Sequence, residues 1–180
     1  MENLENTKTE QNLIKAFAGE SQARNRYTYF ASEAKKEGYE QVAATFDEFA
    51  GNEREHARIW FKLLCGGVIP KTVENLKSAI AGEREEWTFM YKEMMEVAQE
   101  EGFDDIAFLF EKVGNIEKEH DGRLSDLLAK IQDNAIFDKH KKTVWLCQSC
   151  GHIVDSEEPP KNCSVCGNLK EGFESRVINF

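Results

Sequence analysis

Residues 37–56 read EGYEQVAATFDEFAGNEREH, and residues 101–120 read EGFDDIAFLFEKVGNIEKEH. The two stretches align without a gap. Gly38 meets Gly102, Phe46 meets Phe110, Glu53 meets Glu117 and His56 meets His120, each pair 64 positions apart. Upstream, Ala18-Gly19-Glu20 matches Ala81-Gly82-Glu83 at a spacing of 63. Chance similarity between two acidic helices is the poorer reading, because the match takes in the glycine break as well as the Glu/His spacing. A duplicated hairpin sets equivalent residues around a pseudo-two-fold axis, which is a natural way to build a two-metal site.

Working outward from the repeat, apolar residues recur at three- and four-residue steps, the period of an α-helix. The first run is Leu13, Phe17, Tyr27, Ala31 and Ala34, ended by Gly38; the second is Val42, Phe46, Phe49, Trp60 and Leu63, ended by Gly66-Gly67. The third is Leu76, Ile80, Trp87, Met90, Met94 and Val97, ended by Gly102; the fourth runs from Ile106 through Phe110, Val113, Leu124 and Leu127 to Ile131. Each predicted helix is about 25 to 28 residues long, against the ~11 to 12 of an average helix. Long helices with short links predict a four-helix bundle. The middle link, Cys65 to about Val73, carries Gly66, Gly67 and Pro70 and predicts a longer crossing connection, as in ferritin-like bundles.

Glu20, Glu53, Glu83 and Glu117 fall on the same stripes as Leu, Phe, Met and Val. An ionised carboxylate buried without a partner costs several kcal/mol or shifts its pKa until it neutralises. No lysine recurs on these stripes to pair with them. Two divalent cations would resolve the conflict in all four helices at once. Glu53-x-x-His56 and Glu117-x-x-His120 place a carboxylate and an imidazole one turn apart on one face. Glu20 and Glu83 add one carboxylate from each remaining helix, completing the di-iron carboxylate pattern of two Glu helices and two Glu-x-x-His helices. Glu86, three residues after Glu83, stays open between a further ligand and one more surface acid. Tyr27 and Tyr91, about two turns beyond Glu20 and Glu83, are candidates to donate hydrogen bonds to ligand carboxylates, or else simply core. Oxygen-rich sites with one imidazole per metal favour iron or manganese.

After the basic run Lys139-His140-Lys141-Lys142 the composition changes. Cys147-x-x-Cys150 and Cys163-x-x-Cys166 are separated by 12 residues, and each pair closes on a glycine, Gly151 or Gly167. That spacing predicts a tetrahedral four-thiolate site; zinc would make it a staple, whereas a single iron would carry one electron. Trp145, Ile153, Phe173 and Val177 are its expected small core. The chain is thus expected to divide into residues 1–138, the bundle, and 139–180, the cysteine module.

Composition narrows the function classes. A formal charge of -10 over 180 residues argues against nucleic acid, which needs a basic footprint. No apolar run reaches the ~18 to 20 residues of a membrane span, and MENLENTKTEQNL lacks the pattern of a signal peptide. A cytoplasmic setting follows, where thiols stay reduced and clustered cysteines hold metal. Cys65 stands outside the scheme as a small buried apolar residue.

Together, Ala18-Gly19-Glu20, Asn52-Glu53-Arg54-Glu55-His56, Ala81-Gly82-Glu83-Arg84-Glu85-Glu86, Glu117-Lys118-Glu119-His120 and the cysteine tail resemble rubrerythrin over essentially the whole chain. The resemblance implies a mainly α, ferritin-like bundle followed by a rubredoxin-like domain. It implies that Glu20, Glu53, His56, Glu83, Glu86, Glu117 and His120 serve two irons. Glu53 and Glu117 would bridge them, His120 would ligate one, and Glu86 and His56 would exchange on the other. Cys147, Cys150, Cys163 and Cys166 would hold a third iron, giving three iron ions per chain. His152 and Ser164 stand where such modules often carry tyrosine and proline. The implied activity is peroxidase, reducing hydrogen peroxide to water, with a rubredoxin or an NAD(P)H-dependent rubredoxin reductase as donor. A homodimer is also implied, in which one subunit's cysteine module serves its partner's di-iron centre. Ferroxidase and ferritin-type iron storage are the alternatives; the electron-transfer module weighs against storage.

Overall fold

The computed structural model describes residues 4–133 and 142–178. The expected domain boundary at residue 138, the linker residues Lys139 to Lys141 and the side chain of Val177 lie outside what is described. The chain divides into two compact units, Met1–Pro70 and Lys71–Phe180.

The first unit is a hairpin of α1 (Lys8–Lys36) and α2 (Glu40–Leu64). Thr7 caps α1, its hydroxyl accepting the Glu10 N–H at 3.1 Å. The helix ends where Gly38 takes φ +84°, with Gly38 N–H on the Lys35 carbonyl and Tyr39 N–H on the Ala34 carbonyl. This is a Schellman cap, which needs a left-handed residue. The second unit repeats it at the end of α4: Gly102 has φ +81°, and the N–H groups of Gly102 and Phe103 bond to Gln99 and Ala98. The repeat seen in letters is therefore a repeat in backbone geometry.

Inside the first hairpin, α2 buries Ala43, Ala50 and Ala57, seven residues apart, and α1 buries Ala31 and Ala34. Small side chains let the two backbones approach closely. The same seam in the second unit reads Ala107, Gly114 and Asp121 along α5 (Asp104–Gln132). At Gly114 the approach is so close that a methyl would stand 3.1 Å from Tyr91 Cβ. Asp121 is a departure: where the first hairpin buries alanine, the second buries a carboxylate that is only 6% exposed.

The third expected helix is not uniform. It runs as α3 (Thr72–Glu85), a π turn (Glu86–Met90) and α4 (Tyr91–Glu100). The cause lies in the two offsets. Glu20 and Glu83 are 63 apart, whereas Tyr27 and Tyr91 are 64 apart, so the second hairpin holds one extra residue between Glu83 and Tyr91. The rod absorbs it by widening a turn, with Tyr91 N–H reaching back five residues to the Glu86 carbonyl.

The cysteine module is a three-stranded antiparallel sheet in the order β2-β1-β3, from β1 (Lys142–Cys147), β2 (Ile153–Val154) and β3 (Phe173–Ile178). Its core is Cys147, Cys163 and Phe173, with Trp145, Cys150, Val154 and Val165 packed against them. Trp145 and Phe173 stand where the sequence places them. Ile153 does not: it lines a groove with Asn115, Ile116 and Glu119 of α5, and Val154 takes the core position. Neighbouring strand residues point to opposite faces, so only one of the pair can be inside. No helix among the described residues is long and apolar enough to cross a membrane.

Candidate metal centres

Each hairpin assembles half of the expected ligand set. In the first, α1 offers Glu20 and α2 offers Glu53 and His56, with one ligand atom of each within 4.8 Å of the others. His56 Nδ1 lies 2.7 Å from Glu53 Oε2, the one-turn spacing of Glu-x-x-His turned into contact. In the second, α3 offers Glu83 and α5 offers Glu117 and His120, clustered within the same 4.8 Å. His120 Nδ1 lies 2.7 Å from Glu117 Oε2 and 3.5 Å from Glu83 Oε2. Six of the seven helical candidates, all but Glu86, thus fall into two matched triads, one per unit.

The donor chemistry suits a hard or borderline cation. Burial pushes the Glu117 carboxyl up; a hydrogen bond with Glu83 and the charges of Glu83 and Glu86 add to this, against the pull of His120. Burial likewise raises Glu86, followed by the charge of Glu83, and His120 opposes it. Tyr91 is raised by burial and then by Glu117, Glu86 and Glu83, which places its phenol among these carboxylates. None of the groups shifting Glu86 or Glu117 is a lysine or arginine. Carboxyls raised by burial and by one another's charge are the arrangement that a divalent ion relieves. Glu86 stands outside the tight triad but within electrostatic reach of all its members, which places it at the site. Tyr27 packs its ring among Phe30, Phe46 and Phe49.

The four tail cysteines also converge. Sγ separations are 3.7 Å for Cys147–Cys166 and 3.6 Å for Cys150–Cys163. A tetrahedron with metal–sulfur bonds of ~2.3 Å has edges of about 3.8 Å, so the sulfurs already stand at ligand spacing. All five cysteines are free thiols, and Cys65 is half-buried at the end of α2. Gly151 and Gly167, at φ +80° and +73°, close the two knuckles and turn backbone amides toward sulfur. Burial pushes the Cys147 thiol up. The N–H groups of Cys150 and Ser149, the Asn168 amide and Cys166 outweigh it and bring the thiol down to about 6. Burial raises Cys150, and its three neighbouring sulfurs add to the rise. A lowered Cys147 beside raised Cys150 and Cys166 is the imbalance that a bound metal would resolve. His152 and Ser164, both departures from the usual module, meet at 3.4 Å across the knuckles.

Within the second unit the module touches the helical triad. A methyl built on Gly151 would come 3.2 Å from His120 Nε2. His120 therefore turns one ring nitrogen to the carboxylates and the other to the cysteine knuckle. Sequence reasoning missed this contact, which no spacing encodes. It also missed Asp121, whose signal was present as an acid at the repeat position of Ala57.

A family model described as Rubrerythrin matches residues 11–67 and 74–148, and one described as Rubrerythrin, rubredoxin-like domain matches 145–174. A protein of Porphyromonas gingivalis named Rubrerythrin is 44% identical, covering 98% of this chain and 94% of its own length. Rubrerythrin-1 of Clostridium acetobutylicum is 42% identical, and Rubrerythrin of Nitratidesulfovibrio vulgaris is 39% identical, each match covering 100% of both chains.

Proposed function

The chain belongs to the rubrerythrin family, a family of oxidoreductases, and on that premise we propose that it is a non-haem di-iron peroxidase that reduces hydrogen peroxide to water. The reaction takes one peroxide, two electrons and two protons and gives two waters. In this reading the residues of the two triads, with Glu86, serve as ligands for two irons, and the four thiols hold a third. When bound, the pair supplies two electrons and Lewis acidity, and the thiolate iron returns electrons singly.

The observation that carries the proposal is the contact between Gly151 and His120. A four-thiol site serving only as a staple has no need to rest against an imidazole of a carboxylate triad. This arrangement also weighs against ferroxidase and storage, which need no electron input. The chain's own groups have separable roles. The carboxylates and the imidazole Nδ1 atoms set the oxygen-rich donor field. Tyr91, whose phenol stays protonated among Glu117, Glu86 and Glu83, is placed to donate a hydrogen bond to a ligand carboxylate. Glu86, raised by burial and by the charge of Glu83, is a carboxyl that a cation at the site would relieve. The external donor in this proposal is a rubredoxin or an NAD(P)H-dependent rubredoxin reductase, the assembly is a homodimer and the compartment is the cytoplasm; the Gly151–His120 contact joins module and triad within one chain, whereas the resemblance implied service across the subunits.

Rapid mixing tests the reaction. Reduced protein should be oxidised faster by peroxide than by oxygen at equal concentration; equal or slower oxidation by peroxide would overturn the proposal.

A further inference from the structure

The buried acid of the second hairpin has no counterpart in the first. Asp121 accepts two hydrogen bonds from Arg84, Nε to Oδ2 at 3.0 Å and Nη2 to Oδ1 at 2.8 Å. Trp87 Nε1–H adds a third at 3.0 Å, and the Ser125 hydroxyl a fourth at 3.1 Å. Arg84 follows Glu83 in the chain, Trp87 follows Glu86, and Asp121 follows His120. The three principal members are therefore each one residue from a group at the metal site, and two of the four bonds clamp the end of α3 while a third clamps the π turn. In the first hairpin Ser21 stands for Arg84, Ala23 for Glu86 and Ala57 for Asp121, and α1 runs unbroken from Lys8 to Lys36. The clamp, the π turn and Glu86 occur together in one hairpin and are all missing from the other.

We propose that Asp121 is a positioning residue. Through Arg84 and Trp87 it fixes the widened turn against α5 and so presents the Glu86 carboxylate to the second triad. The inference rests on the reading of the triads as a metal site. A widened turn is held by what packs around it, and Trp87 is the one side chain of that turn bonded to a buried charge. The role belongs to geometry, since Asp121 touches no ligand atom in this cluster.

The test is a Mn(II) titration of the full chain, with free Mn(II) counted by electron paramagnetic resonance. Manganese prefers carboxylate and imidazole to thiolate, so the cysteine site stays out of the count. Asp121→Ala, which installs the first hairpin's residue, should weaken one of two bound ions by roughly 10–100-fold, the usual cost of losing an outer support. Trp87→Phe, which keeps the ring and removes the N–H, should weaken the same ion to a smaller extent and serves if Asp121→Ala does not fold. Glu86→Gln should weaken that ion too, and adding Asp121→Ala to it should cost nothing further. The inference is overturned by equal losses from Asp121→Ala with and without Glu86, or by lower thermal stability at unchanged Mn(II) affinity. Failure of the wild type to take two Mn(II) ions would instead sink the metal reading, and this inference with it.

Discussion

Alanine at Gly151 should do more damage than alanine at Gly167. Both glycines close a Cys-x-x-Cys knuckle, both sit at positive φ, +80° and +73°, and both donate their N–H to the first cysteine of the pair, at 2.9 and 3.0 Å. A Cβ at either position pays the same left-handed penalty, about 1–2 kcal/mol. They differ in what the methyl meets: nothing within 4 Å at Gly167, but His120 Nε2 at 3.2 Å and Ile116 Cγ2 at 3.8 Å at Gly151. Overpacking of that kind costs roughly 1–3 kcal/mol more, unless the module swings away from α5. The assay is urea unfolding followed by the thiolate–iron absorption, together with the rate at which prereduced thiolate iron is reoxidised after peroxide is added. Gly167→Ala should lower stability and leave the rate alone. Gly151→Ala should lower stability at least as much and slow reoxidation. Equal rates in the two variants would refute the reasoning that the knuckle against His120 is the point of electron entry.

Other outcomes follow from the same structure. The Asp121 carboxyl is held below the usual range by its bond to Arg84, helped by Trp87 and Ser125 against burial. A depressed folded pKa contributes stability that is present above the unfolded value of about 3.9 and is lost as pH falls through the folded one. The thermal midpoint of the wild type should accordingly fall more steeply below about pH 4 than that of Asp121→Asn, and parallel curves would contradict this. Gly38→Ala and Gly102→Ala, at matched φ and with matched cap bonds, should each cost about 1–2 kcal/mol in urea unfolding of the hairpin that carries them, and a several-fold inequality would break the duplication argument. Stripping metal with a chelator should abolish near-ultraviolet signals from Trp145 while far-ultraviolet helicity stays largely intact, because the small core under Trp145 is built on the metal-binding thiols Cys147 and Cys163 themselves.

Most of the fold is legible in the sequence because it is periodic. Helix extents follow from apolar spacing and from glycines at the turns, and Gly38 and Gly102 take the left-handed caps that their positions require. The triads are equally legible, since acids on an apolar stripe conflict with burial and the conflict localises them. The π turn was legible only in the bookkeeping of the repeat, as the step from 63 to 64 between Glu83 and Tyr91. A propensity reading passes over it because Glu86 to Met90 contains no glycine or proline to break the helix. Asp121 escaped for a related reason. Next to a histidine on an acidic helix it looks like another solvated charge, and only comparison with Ala57 reveals it in the seam. The Gly151–His120 contact was out of reach altogether, because docking of a sheet on a helix leaves no period in either.

Metal analysis of a double variant, Glu53→Ala with Glu117→Ala, tests the central claim most directly. Iron per chain in anaerobically prepared protein should fall to the single ion held by Cys147, Cys150, Cys163 and Cys166, with its absorption unchanged. A variant that kept a full helical pair beside the thiolate iron would contradict the account.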